Sequence, residues 1–211
     1  MSSSEQFVEK YQKPLLVTVL IIILVVAGFL SVRHFYFQPR EVKAQAAMYK
    51  GEIYFAKDSF ELALKGNGAD FVGFEAIADD YSSTKAGNLA AAYAGICYYN
   101  LGKDAEALAY LKKFDGDDAF LSPNIEAMIG NCYANMDQYD DAIKAFEKAA
   151  KKADNEMASP IFLQKAATVA EKMGNYKKAL DFYQKIKDEY SQSMIGRDID
   201  KYIERAKAHV K

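Results

Sequence analysis

Few side chains in these 211 residues could do covalent or metal chemistry. There are two histidines, His34 beside a long apolar run and His209 near the C-terminus. Neither a paired-histidine metal site nor a Ser/His nucleophile is therefore assembled within a local motif. The Walker phosphate loop and the dinucleotide glycine fingerprint are absent from the sequence. The acidic run Asp115-Gly116-Asp117-Asp118, with Glu126 further on, has the outline of a calcium loop. However, Ala119 and Phe120 stand where such a loop needs a ligand and a glycine, and a turn between helices is the better reading. The residues imply no catalytic group, no metal, no cofactor and no small-molecule substrate, and the chain reads as a non-enzyme.

The two cysteines, Cys97 and Cys132, lie 35 residues apart at equivalent places in successive segments. Equivalent positions on neighbouring helical hairpins are about 10 Å apart, beyond the ~7 Å Cα limit for a disulfide. They are expected to be separate small core residues. The formal net charge is −2 and the pI about 5.8. Without a Lys/Arg-dominated face there is no basis for phosphate-backbone binding, so nucleic acid is not an expected partner.

The elements that position any surface are legible from spacing. Pro123 to Ala150 reads as a helical hairpin, with Gly130 and Ala142 where two helices approach closely and Ile129, Tyr133, Phe146 and Ala149 as the apolar seam. The same pattern recurs at Ala94-Gly95, Tyr98, Ala107, Leu111 and Phe114, and again at Leu163, Ala166-Ala167, Ala179, Tyr183 and Ile186. Ile129-Gly130, Tyr133, Ala142, Phe146 and Ala149 match the signature of a tetratricopeptide repeat, with Glu126 in place of the first-helix Trp. An earlier hairpin is irregular: Lys57 and Asp58 stand where the motif wants an apolar and a small residue, and Gly66-Asn67-Gly68 breaks the chain before a helix carrying Phe71, Phe74 and Ile77. Thr84 or Ser83, and Ser193, are candidate N-caps.

Upstream, residues 1–14 are a short polar stretch expected to be a disordered tail. Leu15 to Val32 then carries no charge for eighteen residues, roughly 27 Å of helix, and Phe35, Tyr36 and Phe37 form an aromatic belt, so 15–37 is expected to be a transmembrane anchor. A cleaved signal peptide is the rival, with Val26-Ala27-Gly28 as its site; the apolar run continues past it, and the leading segment carries acids beside its lysines. Lys10 and Lys13 on one side and Arg33, Arg40 and Lys43 on the other leave orientation undecided by charge. Val42, Ala46, Tyr49 and Ile53 then recur at helical spacing, so a helix is expected to run from the anchor into the folded domain with little linker.

The expected fold is all-α: a single N-terminal transmembrane helix, then a tetratricopeptide solenoid over 38–211. Its hairpins span about 41–84, 85–121, 122–157 and 158–193, and a capping helix at about 194–211 closes the stack. Stacked hairpins curve, and the face of the first helices opposite the seam forms a groove. That face carries Leu89, Ala92, Ile96, Tyr99 and Asn100, then Asn124, Ala127, Asn131, Ala134 and Asn135, then Ile161, Gln164, Thr168, Glu171 and Lys172. Amides beside small side chains can bond an extended backbone without demanding a charge, which suits a peptide or a partner helix.

The single N-terminal span, Asp58 to Gly66, and Tyr81 to Ala90 leading into Ala94-Gly95-Ile96 resemble the YfgM-like membrane-anchored tetratricopeptide proteins, ancillary subunits of the bacterial Sec translocon. The resemblance covers nearly the whole chain. It implies a single-pass protein of the bacterial inner membrane with its repeat domain in the periplasm. It also implies partners: the Sec translocon, a membrane-anchored periplasmic chaperone, and exported polypeptides handed onward. A self-associating scaffold for an envelope complex is the competing expectation.

Overall fold

The computed structural model describes residues 3–210, with side chains at residue 11 and from residue 13 onward. Met1 and Ser2 of the expected tail, and Lys211 at the end of the expected cap, lie outside them. Every regular element among the described residues is helical. The first, α1 (Ser3–Val32), passes through a wider π-helical turn at Arg33–Phe37 into α2 (Gln38–Phe55) without leaving helical conformation. The expected disordered tail is thus corrected from Ser3 onward. α1 runs through Pro14, which removes one helical hydrogen bond, while the Glu, Gln and Lys residues on its N-terminal side are good helix formers.

From Leu15 to Phe37 the large apolar side chains of this helix are exposed, and none of its most apolar window is buried against the protein. By length and composition it is able to cross a membrane. The domain-facing side of α2 differs from the expected one. Val42 and Tyr49 are 61% and 65% exposed, whereas Ala44, Met48 and Gly51 are buried. The reason is close approach: a Cβ at Gly51 would lie 2.6–2.7 Å from the rings of Phe71 and Phe74, so the side bearing Gly51 docks, with Ala44, Met48 and Phe55, and the Val42–Tyr49 stripe is left outward.

After a turn come α3 (Phe60–Lys65) and α4 (Phe74–Asp80), both short. Asn67 holds the break between them, its Oδ1 accepting from the backbone N–H of Ala69, Asp70 and Phe71 at 3.1 Å. The expected second helix therefore starts at Phe74, and Phe71 is buried from the loop that precedes it. Three regular hairpins follow: α5 (Lys85–Asn100) with α6 (Asp104–Leu111), α7 (Leu121–Asn135) with α8 (Tyr139–Ala153), and α9 (Ser159–Lys172) with α10 (Tyr176–Glu189). Thr84 and Ser193 act as N-caps, accepting from Gly87 N–H and Gly196 N–H at 2.9 Å. The closing element is two pieces, α11 (Met194–Arg197) and α12 (Ile199–His209). α12 packs Ile199, Ile203 and Ala206 against α10, while Val210 lies past its end and is exposed.

Helix spacing is set at the seams. A Cβ on Gly95 would meet Leu111 at 2.6 Å, and one on Gly130 would meet the Phe146 ring at 2.8 Å. The turns between paired helices place Gly102, Asp137 and Gly174 at φ of 72°, 58° and 74°. Asp tolerates this left-handed conformation better than most side chains do, so the central turn forms without glycine. Buried apolar residues gather into an N-terminal cluster over α2–α7 and a C-terminal cluster over α8–α12, which interlock at the central hairpin: Ala145 of α8 belongs to the first and Ala127 of α7 to the second.

Replacing Gly130 with Leu should push Phe146 out of the central seam and destabilise the chain by about 3 kcal/mol. In a domain of this size that lowers Tm by roughly 6–12 °C. An unchanged melting curve of the full chain in detergent would refute the seam.

Candidate interaction surface

The long helix is joined to the folded domain by side chains, not only by the chain. Arg40 donates to the backbone carbonyl of Asp80 and lies 5.4 Å from the ring centroids of both Tyr36 and Tyr81. Glu41, one residue on, accepts from the backbone N–H of Lys85 at 2.7 Å and of Ala86 at 3.2 Å. A carboxylate from α2 thus satisfies two amides that the first turn of α5 leaves free and complements its dipole. Beside this joint, Leu30, Arg33, His34 and Phe37 from the end of the long helix share a cleft of about 670 Å³ with Ser83, Thr84 and Lys85.

The proposed groove residues divide by burial. Ala92 and Ala127 are 1% and 5% exposed; they fill the N-terminal and C-terminal cores and offer nothing to a partner, which corrects their assignment. Leu89, Ile96 and Tyr99 are half-buried against the N-terminal core, and Ala134 against the C-terminal one. Leu89 also lines a cleft of about 220 Å³ between α2 and α5. Glu171 is corrected too: Arg205 of α12 holds it at 2.7 Å, so the closing helix occupies it. Asn100, Asn124, Asn135, Ile161, Thr168 and Lys172 are exposed, and Asn131 and Gln164 are half-buried. Several are already partly engaged. Asn135 Nδ2 donates to Asp104 at 3.0 Å, and Lys172 sits 3.8 Å from Asp137 and 4.8 Å from the Tyr139 ring.

One residue of this face escaped the sequence reading. Lys165 is half-buried, donates to Asn131 Oδ1 at 3.1 Å, and has its pKa lowered by burial. Its signal was its place 34 residues after Asn131.

The opposite side of the stack carries charge networks. Glu75 is reached by Lys65, by Tyr98 at 2.8 Å and by Tyr110 at 3.3 Å. Burial pushes its carboxyl up, but these donors outweigh burial and hold it below the ordinary value. Asp79 is lowered mainly by its hydrogen bond from Lys113. Further along, α6 has only eight residues against fifteen in α8. The space its missing turns would fill is a cleft of about 360 Å³, into which Lys112, Lys144, Lys148 and Lys152 project beside Glu126 and Asp141. Glu126, 9% exposed, is paired with Lys148 at 2.5 Å. As the lining of a cleft, Lys148 and Lys152 escaped the sequence reading. The signal for the cleft is the early break at Phe114-Asp115-Gly116. Asp118 serves the loop rather than a metal, its carboxylate accepting from Phe120 N–H, Leu121 N–H and Ser122 N–H to cap α7.

Comparison with known families fits this geometry. One model of the tetratricopeptide repeat matches residues 127–156, spanning the second part of α7 and all of α8. A second matches 93–115 and 163–193, the equivalent parts of the hairpins on either side. The chain carries tetratricopeptide repeats. No curated protein matches it significantly. Tetratricopeptide repeats are interaction modules, typically non-catalytic, and they imply protein partners.

Burial holds the Cys97 and Cys132 thiols at about 12, so neither should react with maleimide at pH 8 until the chain is denatured, as read by intact mass. The pH dependence follows from Glu75 and Asp79. Their folded values lie below the ordinary 4.5 and 3.8, so the stability they contribute is present above those values and lost as pH falls through the folded ones. Glu75→Gln should flatten the acid side of a Tm-against-pH profile.

Proposed function

We propose that the chain is a protein–protein interaction module anchored in the bacterial inner membrane by its N-terminal helix. Its repeat domain lies in the periplasm, and it acts as an ancillary subunit of the Sec translocon that helps hand newly exported proteins to a membrane-anchored chaperone. The observation that carries the anchor is the unbroken, exposed apolar helix leading straight into α2, which a signal sequence awaiting cleavage has no need to share with a domain core. The resemblance to the YfgM-like proteins supports the translocon and the periplasmic placement. The partner segment lies across the exposed residues of the first-helix face, Asn100, Asn124, Asn135, Thr168 and Lys172, in the manner of a peptide or helix in a groove.

A second reading, a self-associating scaffold, is favoured by one observation. Val42, Ala46, Tyr49 and Ile53 form an exposed apolar stripe at four-three-four spacing along α2, the spacing of a coiled-coil seam. Light scattering of the full chain in detergent separates a monomer from a dimer.

Affinity purification of the full chain in mild detergent should bring down translocon subunits and a membrane-anchored chaperone; recovery of the bait alone counts against the reading. Replacing Asn124, Asn135 and Lys172 together with Ala should reduce the recovered partner severalfold with little change in Tm. Protease added to spheroplasts should degrade the repeat domain, and its protection there would place it on the other side of the membrane.

A further inference from the structure

Two connections between hairpins, and the start of the closing element, carry a large apolar side chain. Phe120, Met157 and Met194 are 81%, 82% and 88% exposed, and they follow one another at intervals of 37 residues. The turns themselves do not require these side chains. Asp118 holds the first through the backbone amides of Phe120, Leu121 and Ser122, Asn155 holds the second through those of Met157 and Ala158, and Ser193 holds the third through that of Gly196. A polar residue at each tip would leave those bonds in place. Isolated exposed apolar residues are ordinary on a protein surface. A set repeated at the same point of successive repeats is not.

Which edge of the stack they occupy follows from topology. Paired helices joined by short turns are antiparallel, so α5, α7 and α9 run in the same direction as α2. Their N-termini lie at the edge where the long apolar helix enters. The connection one interval before Phe120 is Ser83-Thr84-Lys85, which shares a cleft with Leu30, Arg33 and Phe37 of that helix. Arg33 is the first charged residue after the apolar run, so this first connection stands at the height of the lipid headgroups if the helix spans. The next three connections continue the same edge.

We propose that this edge lies against the bilayer and that Phe120, Met157 and Met194 dip into its interfacial layer, so that the repeat stack rests along the membrane it is anchored in. The inference builds on the anchor of the proposed function. The occupant is the lipid surface because the edge is continuous with the boundary of the span, and because the Arg40 and Glu41 joint fixes the domain to that boundary rather than on a tether. The first helices and their groove then stand upright from the surface, with the turns at Gly102, Asp137 and Gly174 facing away from it.

The chain has no tryptophan, so single probes can be read without background. Phe120→Trp, Met157→Trp and Met194→Trp full-length chains, with Lys103→Trp and Gln138→Trp as probes on the opposite turns, are reconstituted into phosphatidylethanolamine/phosphatidylglycerol vesicles containing acyl-brominated lipid. Emission from the Phe120→Trp and Met157→Trp chains should be blue-shifted and lose a large part of its intensity to the bromines, with Met194→Trp following to a smaller degree. The opposite-turn probes should keep theirs. Equal intensity loss at both edges, or none at the tips, overturns the proposal. All five positions are exposed, and unchanged circular-dichroism melts confirm that each variant folds. A chain that fails to float with the vesicles overturns the anchor and this inference together, whereas a chain that floats with its tip probes unquenched overturns the inference alone.

Discussion

The stack depends on how closely the two helices of each hairpin come together. At Gly95 and Gly130 the first helix presents bare backbone to Leu111 and to the Phe146 ring, and Ala107, Ala142 and Ala179 repeat the arrangement from the second helix, all fully buried. Dispersion falls off within an ångström of contact, so small residues at the crossing allow the flanking large ones to interlock. The same principle decides the side on which α2 docks. Gly51 admits Phe71 and Phe74, and the side with Val42 and Tyr49 is left outside although it too is apolar.

The repeats were legible because their periodicity and their close-approach residues are local properties, readable from Gly130, Ala142 and Phe146 alone. The caps Thr84 and Ser193 were legible for the same reason. What the sequence hid depended on partners distant in the chain. Glu171 looks like a groove residue until Arg205, 34 residues later, is seen to reach it. Glu41 reads as an ordinary helix residue, yet its role is to cap α5, more than forty residues on. Ala92 and Ala127 have the right phase for the groove, but phase does not reveal which neighbouring helix covers a small side chain. The cleft beside Lys148 arises from the shortness of α6, a length difference that only the stacked neighbour makes visible.

Charge is distributed unevenly between the two sides. On the second-helix side Glu75 and Asp79 are matched by phenols and a lysine of the next hairpin, which fixes the two hairpins relative to each other more than it adds stability, since partly exposed pairs contribute little; Glu126 pairs with Lys148 within its own hairpin. On the first-helix side amides predominate, with Lys165 bonded to Asn131 and Lys172 beside Asp137. A ligand bound there would meet hydrogen-bonding capacity with modest charge. Such a surface discriminates by shape and backbone geometry more than by sequence.

The crossing of the two core clusters at the central hairpin has a mechanical meaning. In an ideal repeat array each unit touches only its neighbours and can fray independently from either end. Here Ala145 of α8 is packed into the N-terminal cluster and Ala127 of α7 into the C-terminal one, so neither half keeps a complete interior when the other is removed. A protease cut between α7 and α8 would open both clusters at once. The central hairpin therefore belongs to both interiors, and separating its two helices would expose apolar surface in each.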